Sequence, residues 1–343
     1  MDHAIRAFLK DLGTPSDTAF SVEKLRGDAS SRIYWRLRPR TGSIPSIIVM
    51  QLPANAKASD EATSGAAPTE LPFLNVARYL TTAGVAVPNI YATNEREGLV
   101  FLEDLGDDLV ETLVRNADVD SRRAIYRIAI DVVADLQRYA DGHRDGSCIA
   151  FSRRFDPALL RWELDHFIEW GVTGRTGKTP SAAAQSTIDR GFNKIAEILA
   201  AAPETFVHRD FQSRNLIITH GRLRVIDFQD ALMGPFVYDL VALLRDSYVT
   251  HSDDFVGEML GHYVRRRDLF SLDETTRLFH IQTVQRKLKD AGRFVYIDRI
   301  KKNPSFLPYF EPSVAYVRAA FSELPEFREL QSALAETTPE LAG

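Results

Sequence analysis

The chain has 343 residues, 45% of them hydrophobic and 26% charged, with a formal net charge of −5. That length can bury a substantial core and allows two lobes around a cleft, and the acidic balance recommends no nucleic-acid partner. Cys148 is the single cysteine, which excludes an intramolecular disulfide and fits a reducing cytoplasm.

The first residues, Met1 to Lys10, mix charged and apolar side chains, a poor secretory signal. No apolar run approaches the ~18 residues of a membrane span. A soluble, cytoplasmic protein without a membrane partner is the expectation; the oligomeric state is left open. Residues 2–12 read as a short amphipathic helix, followed by strands at Phe20 to Leu25, Ile33 to Arg38 and Ile47 to Leu52. Gly27 to Ser31 reads as a tight turn between the first two. Residues 53–70, rich in small and polar side chains, read as a mobile loop. Leu71 to Ala83 has helical spacing, Val85 to Pro88 enters a turn, and Leu99 to Leu102 reads as a buried strand ending in Glu103-Asp104-Leu105-Gly106.

Beyond this point the pattern is mainly helical. Ile125, Ile128, Val132, Val133 and Leu136 mark one helix over 121–140. Asp156-Pro157 suits a cap and first helical position, opening a helix through Leu160, Leu164, Phe167 and Ile168. Further helices are expected near 182–201, 239–249, 254–266, 273–291 and 313–322. Strands first and helices afterwards make an α+β class.

One interruption carries chemistry. Residues 206–228 hold two short apolar strands with polar residues between them. The catalytic loop of protein kinases is His-Arg-Asp, four residues, then Asn, and a later strand ends in Asp-Phe-Gly. His208-Arg209-Asp210 with Asn215, and then Asp227-Phe228-Gln229, follow that spacing. A nucleotide triphosphate needs Mg²⁺, which prefers oxygen ligands; Asn215 offers an amide oxygen and Asp227 a carboxylate. Asp210 is placed to accept a proton from, and orient, an attacking hydroxyl. A hairpin turning at His220-Gly221-Arg222 brings Asn215 and Asp227 together.

With these residues the chain resembles the aminoglycoside phosphotransferase/choline kinase-like superfamily, and most of all the bacterial N-acetylmuramate/N-acetylglucosamine 1-kinases. The similarity runs in order through Gly27 to Arg32, Leu102 to Gly106, His208 to Leu216 and Asp227 to Ala231. Gly234-Pro235, Tyr238-Asp239-Leu240 and Leu243 to Asp246 continue it. The resemblance implies a bilobal protein-kinase-like fold, with a β-rich nucleotide lobe at 1–105 and a helical lobe at 106–343. It implies ATP and Mg²⁺ as cofactors and a small sugar as acceptor, phosphorylated on its anomeric hydroxyl in peptidoglycan recycling. Ser30, Ser31 and Arg32 fall in the phosphate-covering loop, where small residues let backbone N–H groups approach phosphates. Glu103 and Leu105 fall at the hinge, with backbone groups toward an adenine edge.

The third strand, Ile47 to Leu52, has no lysine to meet the phosphates; Met50 or Gln51 stands in its place. Arg32, Arg36 and Arg38 share strand parity and are either substitute cations, Arg32 first, or solvated surface residues. On the acceptor side, Glu163 and His166 lie with Trp162 and Trp170 on one helix, suited to a sugar or to a helix core. Asp230 reaches metal or substrate, or braces its turn. Arg209 binds substrate or pairs with a buried acid. Asp239 reads as a cap or brace, and Gln285 to Lys289 as a solvated basic face. The alternatives are another hydroxyl acceptor (an aminoglycoside, choline, homoserine or other hexosamine) and a non-catalytic pseudokinase module, which the missing lysine favours.

Overall fold

The computed structural model describes residues 2–11, 19–25, 32–40, 46–53, 70–144 and 146–343. Ser30, Ser31 and nearly all of the predicted loop at 53–70 lie outside them.

Helix α1 (Asp2–Asp11) precedes strands β1 (Phe20–Lys24), β2 (Ile33–Pro39) and β3 (Ile47–Gln51). Helix α2 (Pro72–Thr82), with Pro72 in its first turn, leads to β4 (Ile90–Asn94) and β5 (Leu99–Glu103). The five strands form one antiparallel sheet in the order β1-β2-β3-β5-β4. Side chains alternate faces along each strand, and β3 and β5 are buried on both. Ile47, Val49, Leu99 and Phe101 meet α1 on one face, where Phe8 and Phe101 stack with centroids 4.1 Å apart. Met50, Val100 and Leu102 meet Phe73, Val76 and Leu80 of α2 on the other. Burial on both sides explains why these strands read as continuous apolar runs. β4 escaped the sequence reading because it is a sheet-edge strand without buried positions.

After Glu103 the chain is helical apart from two small ladders. Helices α3 (Val110–Arg115), α4 (Val119–Gly142), α5 (Pro157–His166) and α6 (Ala182–Ala201) come first. Strand β6 (Glu204–Val207) pairs with β9 (Leu232–Pro235), and β7 (Leu216–Thr219) forms a hairpin with β8 (Arg222–Val225) between them. Helices α7 (Tyr238–Leu244), α8 (Asp253–Arg267), α9 (Leu272–Arg299), α10 (Phe310–Ser322) and α11 (Arg328–Ala335) complete the lobe.

Two departures bear on the site. The helix opened by Asp156, whose carboxylate accepts from Leu159 N, passes into a π-helical segment at Phe167–Gly174. There α9 packs so closely that a Cβ on Gly292 would lie 2.8 Å from the His166 carbonyl oxygen and 2.9 Å from Phe167 Cα. Helix α7 ends at Leu244, short of the predicted 249, because Asp246 turns back to bind the catalytic loop.

Candidate active site

The loop bearing His208 to Asn215 leaves β6, and the segment bearing Asp227 to Asp230 returns to β9, which pairs with β6. The β7–β8 hairpin lies between. At its base Ile226 N donates to the Asn215 carbonyl at 3.0 Å, so Asn215 and Asp227 are neighbours, as the hairpin predicted. Asn215 Nδ2 donates to the Asp210 carbonyl at 2.8 Å, which ties the candidate metal ligand to the loop of the candidate base.

Buried polar groups hold this loop. Asp239 accepts from the backbone N–H groups of His208 and Arg209 at 2.7 and 3.0 Å, the bracing role read from the sequence. Asp246 accepts from Ser213 N and Oγ at 2.8 and 2.5 Å. Asp210 N donates to His208 Nδ1, so the proton of the His208 ring sits on Nε2 and donates to the Ile226 carbonyl. Burial lowers the His208 pKa and keeps the ring neutral. Arg209 and Asp227 both have left-handed backbone, at φ 81° and 64°. For non-glycine residues this is strained by about 1–3 kcal/mol each, tolerated where the surroundings impose it. Burial and the nearby Asp210 carboxylate push Asp227 up to about 6.

The structure matches one alternative of two open readings and corrects a third. Glu163 and Arg209 have no solvent exposure and bind each other, Arg209 Nη2 to Glu163 Oε1 at 2.9 Å. Gln285 donates to the other Glu163 oxygen at 2.8 Å. Both carboxylate oxygens of Glu163 and Nη2 of Arg209 are therefore engaged inside the lobe. The predicted solvated basic face of α9 is likewise buried: Arg286, Lys287 and Lys289 are 1%, 1% and 5% exposed. Leu278, Phe279, Ile281, Val284, Phe294 and Ile297 are all buried and lie on every side of that helix. A helix apolar on all sides is a buried helix, and this signal was present in the sequence.

Asp230 is 7% exposed and receives Gln229 Nε2 at 3.1 Å; the same nitrogen donates to Asp227 Oδ1 at 2.9 Å. Gln229 thus ties Asp230 to Asp227, a link the sequence reading missed. His166 packs among Trp162, Trp170 and Tyr296, at centroid distances of 5.7, 6.4 and 5.7 Å.

A cleft of about 450 Å³ opens between sheet and helical lobe, with Asn215 and Asp227 in its wall. Tyr34, Ile48, Leu102, Leu105 and Ile217 give it apolar surface. Met50 shares the strand face of cleft-lining Ile48, so it stands where the lysine is missing; Gln51 turns the other way, within 3.4 Å of Trp35 Nε1. The three arginines part company. Arg36 binds Asp104 and Asp107, each at 2.8 Å. Arg38 pairs with Glu23. Arg32 Nη1 lies 3.9 Å from Asp227 Oδ1, at the candidate metal site. At the hinge, Glu103 N donates to the Asn89 carbonyl at 2.9 Å and its carboxylate pairs with Arg224. That commits the Glu103 amide to the segment before β4.

The profile of the phosphotransferase enzyme family matches residues 21–275. The chain belongs to this family. Its curated relatives include an N-acetylmuramate/N-acetylglucosamine kinase of Pseudomonas putida, 29% identical over 98% of this chain and 94% of the relative. One of the same name from Neisseria meningitidis is 29% identical over 92% and 90%. Among solved structures, an ethanolamine kinase of Plasmodium vivax aligns with a TM-score of 0.62 at 13% identity, over 95% of this chain and 89% of that one. A choline kinase of Cryptosporidium parvum aligns at 0.61 and 12% identity over 100% of both. The bilobal, protein-kinase-like fold is therefore shared with these kinases.

Proposed function

We propose that this phosphotransferase moves the γ-phosphoryl group of ATP to the anomeric hydroxyl of N-acetylmuramate or N-acetylglucosamine. The names of its relatives supply the acceptor. The observation that carries the chemistry is that Asn215 and Asp227 are neighbours in the cleft wall and that Asn215 is hydrogen-bonded to the Asp210 carbonyl.

ATP would lie in the cleft with its adenine edge at the Glu103 carbonyl and the Leu105 amide. The amide oxygen of Asn215 and the Asp227 carboxylate are hard oxygen donors on neighbouring segments, which fit Mg²⁺. Such an ion supplies charge neutralisation at the phosphates when bound. Arg32, beside Asp227, is positioned to add positive charge there. Asp210 accepts the proton of the sugar O1 hydroxyl as O1 bonds to the γ-phosphorus. The bond from that phosphorus to the bridging oxygen breaks, and ADP leaves with the electron pair. The product, a sugar 1-phosphate, suits a nucleotidyl-transfer step toward a UDP-sugar in cell-wall recycling.

Nucleotide consumption tests the reading. With Mg²⁺, either amino sugar should stimulate ATP turnover, while choline, homoserine and aminoglycosides should not. Asp210→Asn should lower the stimulated rate about a thousandfold. An Asp210→Asn enzyme with wild-type turnover contradicts the proposal.

A further inference from the structure

Helix α9 sends one side chain directly to the candidate base. Arg286 is 1% exposed. Its Nη1 donates to the Arg209 carbonyl at 2.6 Å and its Nη2 to Asp210 Oδ1 at 3.1 Å. One planar fork therefore grips both the strained peptide before the base and the base itself, a geometry that a lysine ammonium does not reproduce.

The fork is itself held. Its guanidinium lies 4.9 Å from the centroid of the Tyr238 ring, and Nε is 4.0 Å from Asp290 Oδ2. Asp290 also has Lys287 at 2.8 Å and Lys289 at 3.8 Å, so three cations surround this one carboxylate. Burial opposes a charge on Arg286, but Tyr238, Asp290 and Asp210 outweigh it and hold its pKa well above the ordinary value.

Asp210 receives a second donor, Gln212 Nε2, at 3.4 Å from Oδ1. Arg286 and Gln212 thus meet the same carboxylate oxygen, and Oδ2 receives neither.

We propose that Arg286 is a positioning residue for phosphoryl transfer, which fixes Asp210 so that Oδ2 is presented to the acceptor hydroxyl. It also keeps a fixed positive charge beside the reacting groups from the helical side of the cleft, opposite the strand where Met50 replaces a lysine. Preorganised charge and orientation of this kind act on the chemical step rather than on ground-state binding. The inference rests on the reading of Asp210 as the base.

The test is steady-state kinetics of Arg286→Ala, Arg286→Lys and Asp210→Asn with ATP and an amino sugar, alongside thermal melts. Arg286→Ala should lower kcat about a hundredfold, with the KM for ATP within about threefold of wild type. Arg286→Lys should recover part of the loss, since an ammonium restores the charge without the fork. Added guanidinium ion should raise the turnover of Arg286→Ala and not that of Asp210→Asn. Should Arg286→Ala not fold, Arg286→Gln takes its place with the same expectations. The inference is overturned if the neutral variant turns over within about threefold of wild type. It is equally overturned if neutral and lysine variants lose equal activity, raise the ATP KM together and ignore guanidinium, the pattern of a merely structural residue. Asp210→Asn keeps the two readings apart. If it is inactive while the neutral Arg286 variant is not, only this inference falls; if it is fully active, the reading of the base fails as well.

Discussion

On the sheet side of the cleft, Met50 is fully buried against Phe73 of α2, and α2 has no acidic residue to pair with a cation there. On the helical side, charges are buried in numbers: Glu163 with Arg209, Asp239 and Asp246 on the catalytic loop, Arg286 on Asp210. A protein-kinase site ordinarily takes a lysine from the sheet and a glutamate from the helix behind it. Here that ion pair gives way to apolar packing, which runs from Met50 through Phe73 to Phe228, whose ring stacks on Phe73 with centroids 4.9 Å apart. Fixed charge on the sheet side comes instead from Arg32 beside Asp227 and Arg36 on Asp104 and Asp107, while most of the buried charge lies on the lobe that carries the base. A wall built on apolar contact tolerates no unpaired charge, whereas a wall built on buried ion pairs fails when one partner is removed.

Three substitutions break or sharpen that contrast. Glu163→Ala removes the buried carboxylate that receives Arg209 and Gln285 and should cost about 4 kcal/mol of stability in denaturant titration. Its KM for the sugar should stay near wild type at a temperature where it remains folded; a large rise in that KM with unchanged stability would return Glu163 to the acceptor site. Met50→Lys, restoring the kinase residue without its partner, should destabilise the protein by about 3 kcal/mol and raise turnover not at all. A gain in activity would show that the sheet wall still accepts a catalytic cation.

The third concerns acid. His251 packs against Tyr126 and Phe255, with centroids 4.4 and 4.7 Å away, and neither ring nitrogen has a hydrogen-bond partner among the described residues. Burial, with Arg122 and Arg245 nearby, depresses its pKa from 6.5 to about 4. Above pH 6.5 the ring is neutral folded or unfolded, and it has no pH-linked effect. As the pH falls from there toward 4, the unfolded chain takes up a proton that the folded one refuses. Stability should drop by about 3 kcal/mol between pH 7 and pH 4 from this group. His251→Phe should flatten that part of the stability–pH curve by the same amount; an unchanged slope would assign the acid sensitivity elsewhere.

Sequence resolved the parts of the site that are local and left out those that are not. Asp210, Asn215 and Asp227 lie within one hairpin-bearing stretch, so their spacing alone brings them together. The two-sided burial of β3 and β5 was legible as apolar runs. Partners remote along the chain were not. Glu163 sits on a helix with aromatic neighbours that suit a sugar, and only the packing of α5 against the catalytic loop and α9 gives its oxygens to Arg209 and Gln285. Arg286 lies in a run of basic residues whose burial follows from the apolar residues on every side of α9. The π-helical turn after His166 depends on the close approach of Gly292, a contact no local pattern encodes.

The most direct measurement is the position of phosphate on the product. With ATP, Mg²⁺ and N-acetylglucosamine, NMR should show phosphorus coupled to the anomeric proton, and the signal should vanish with Asp210→Asn. Phosphorus coupled to the C6 protons, or ATP consumption that no amino sugar alters, would contradict transfer to the anomeric hydroxyl.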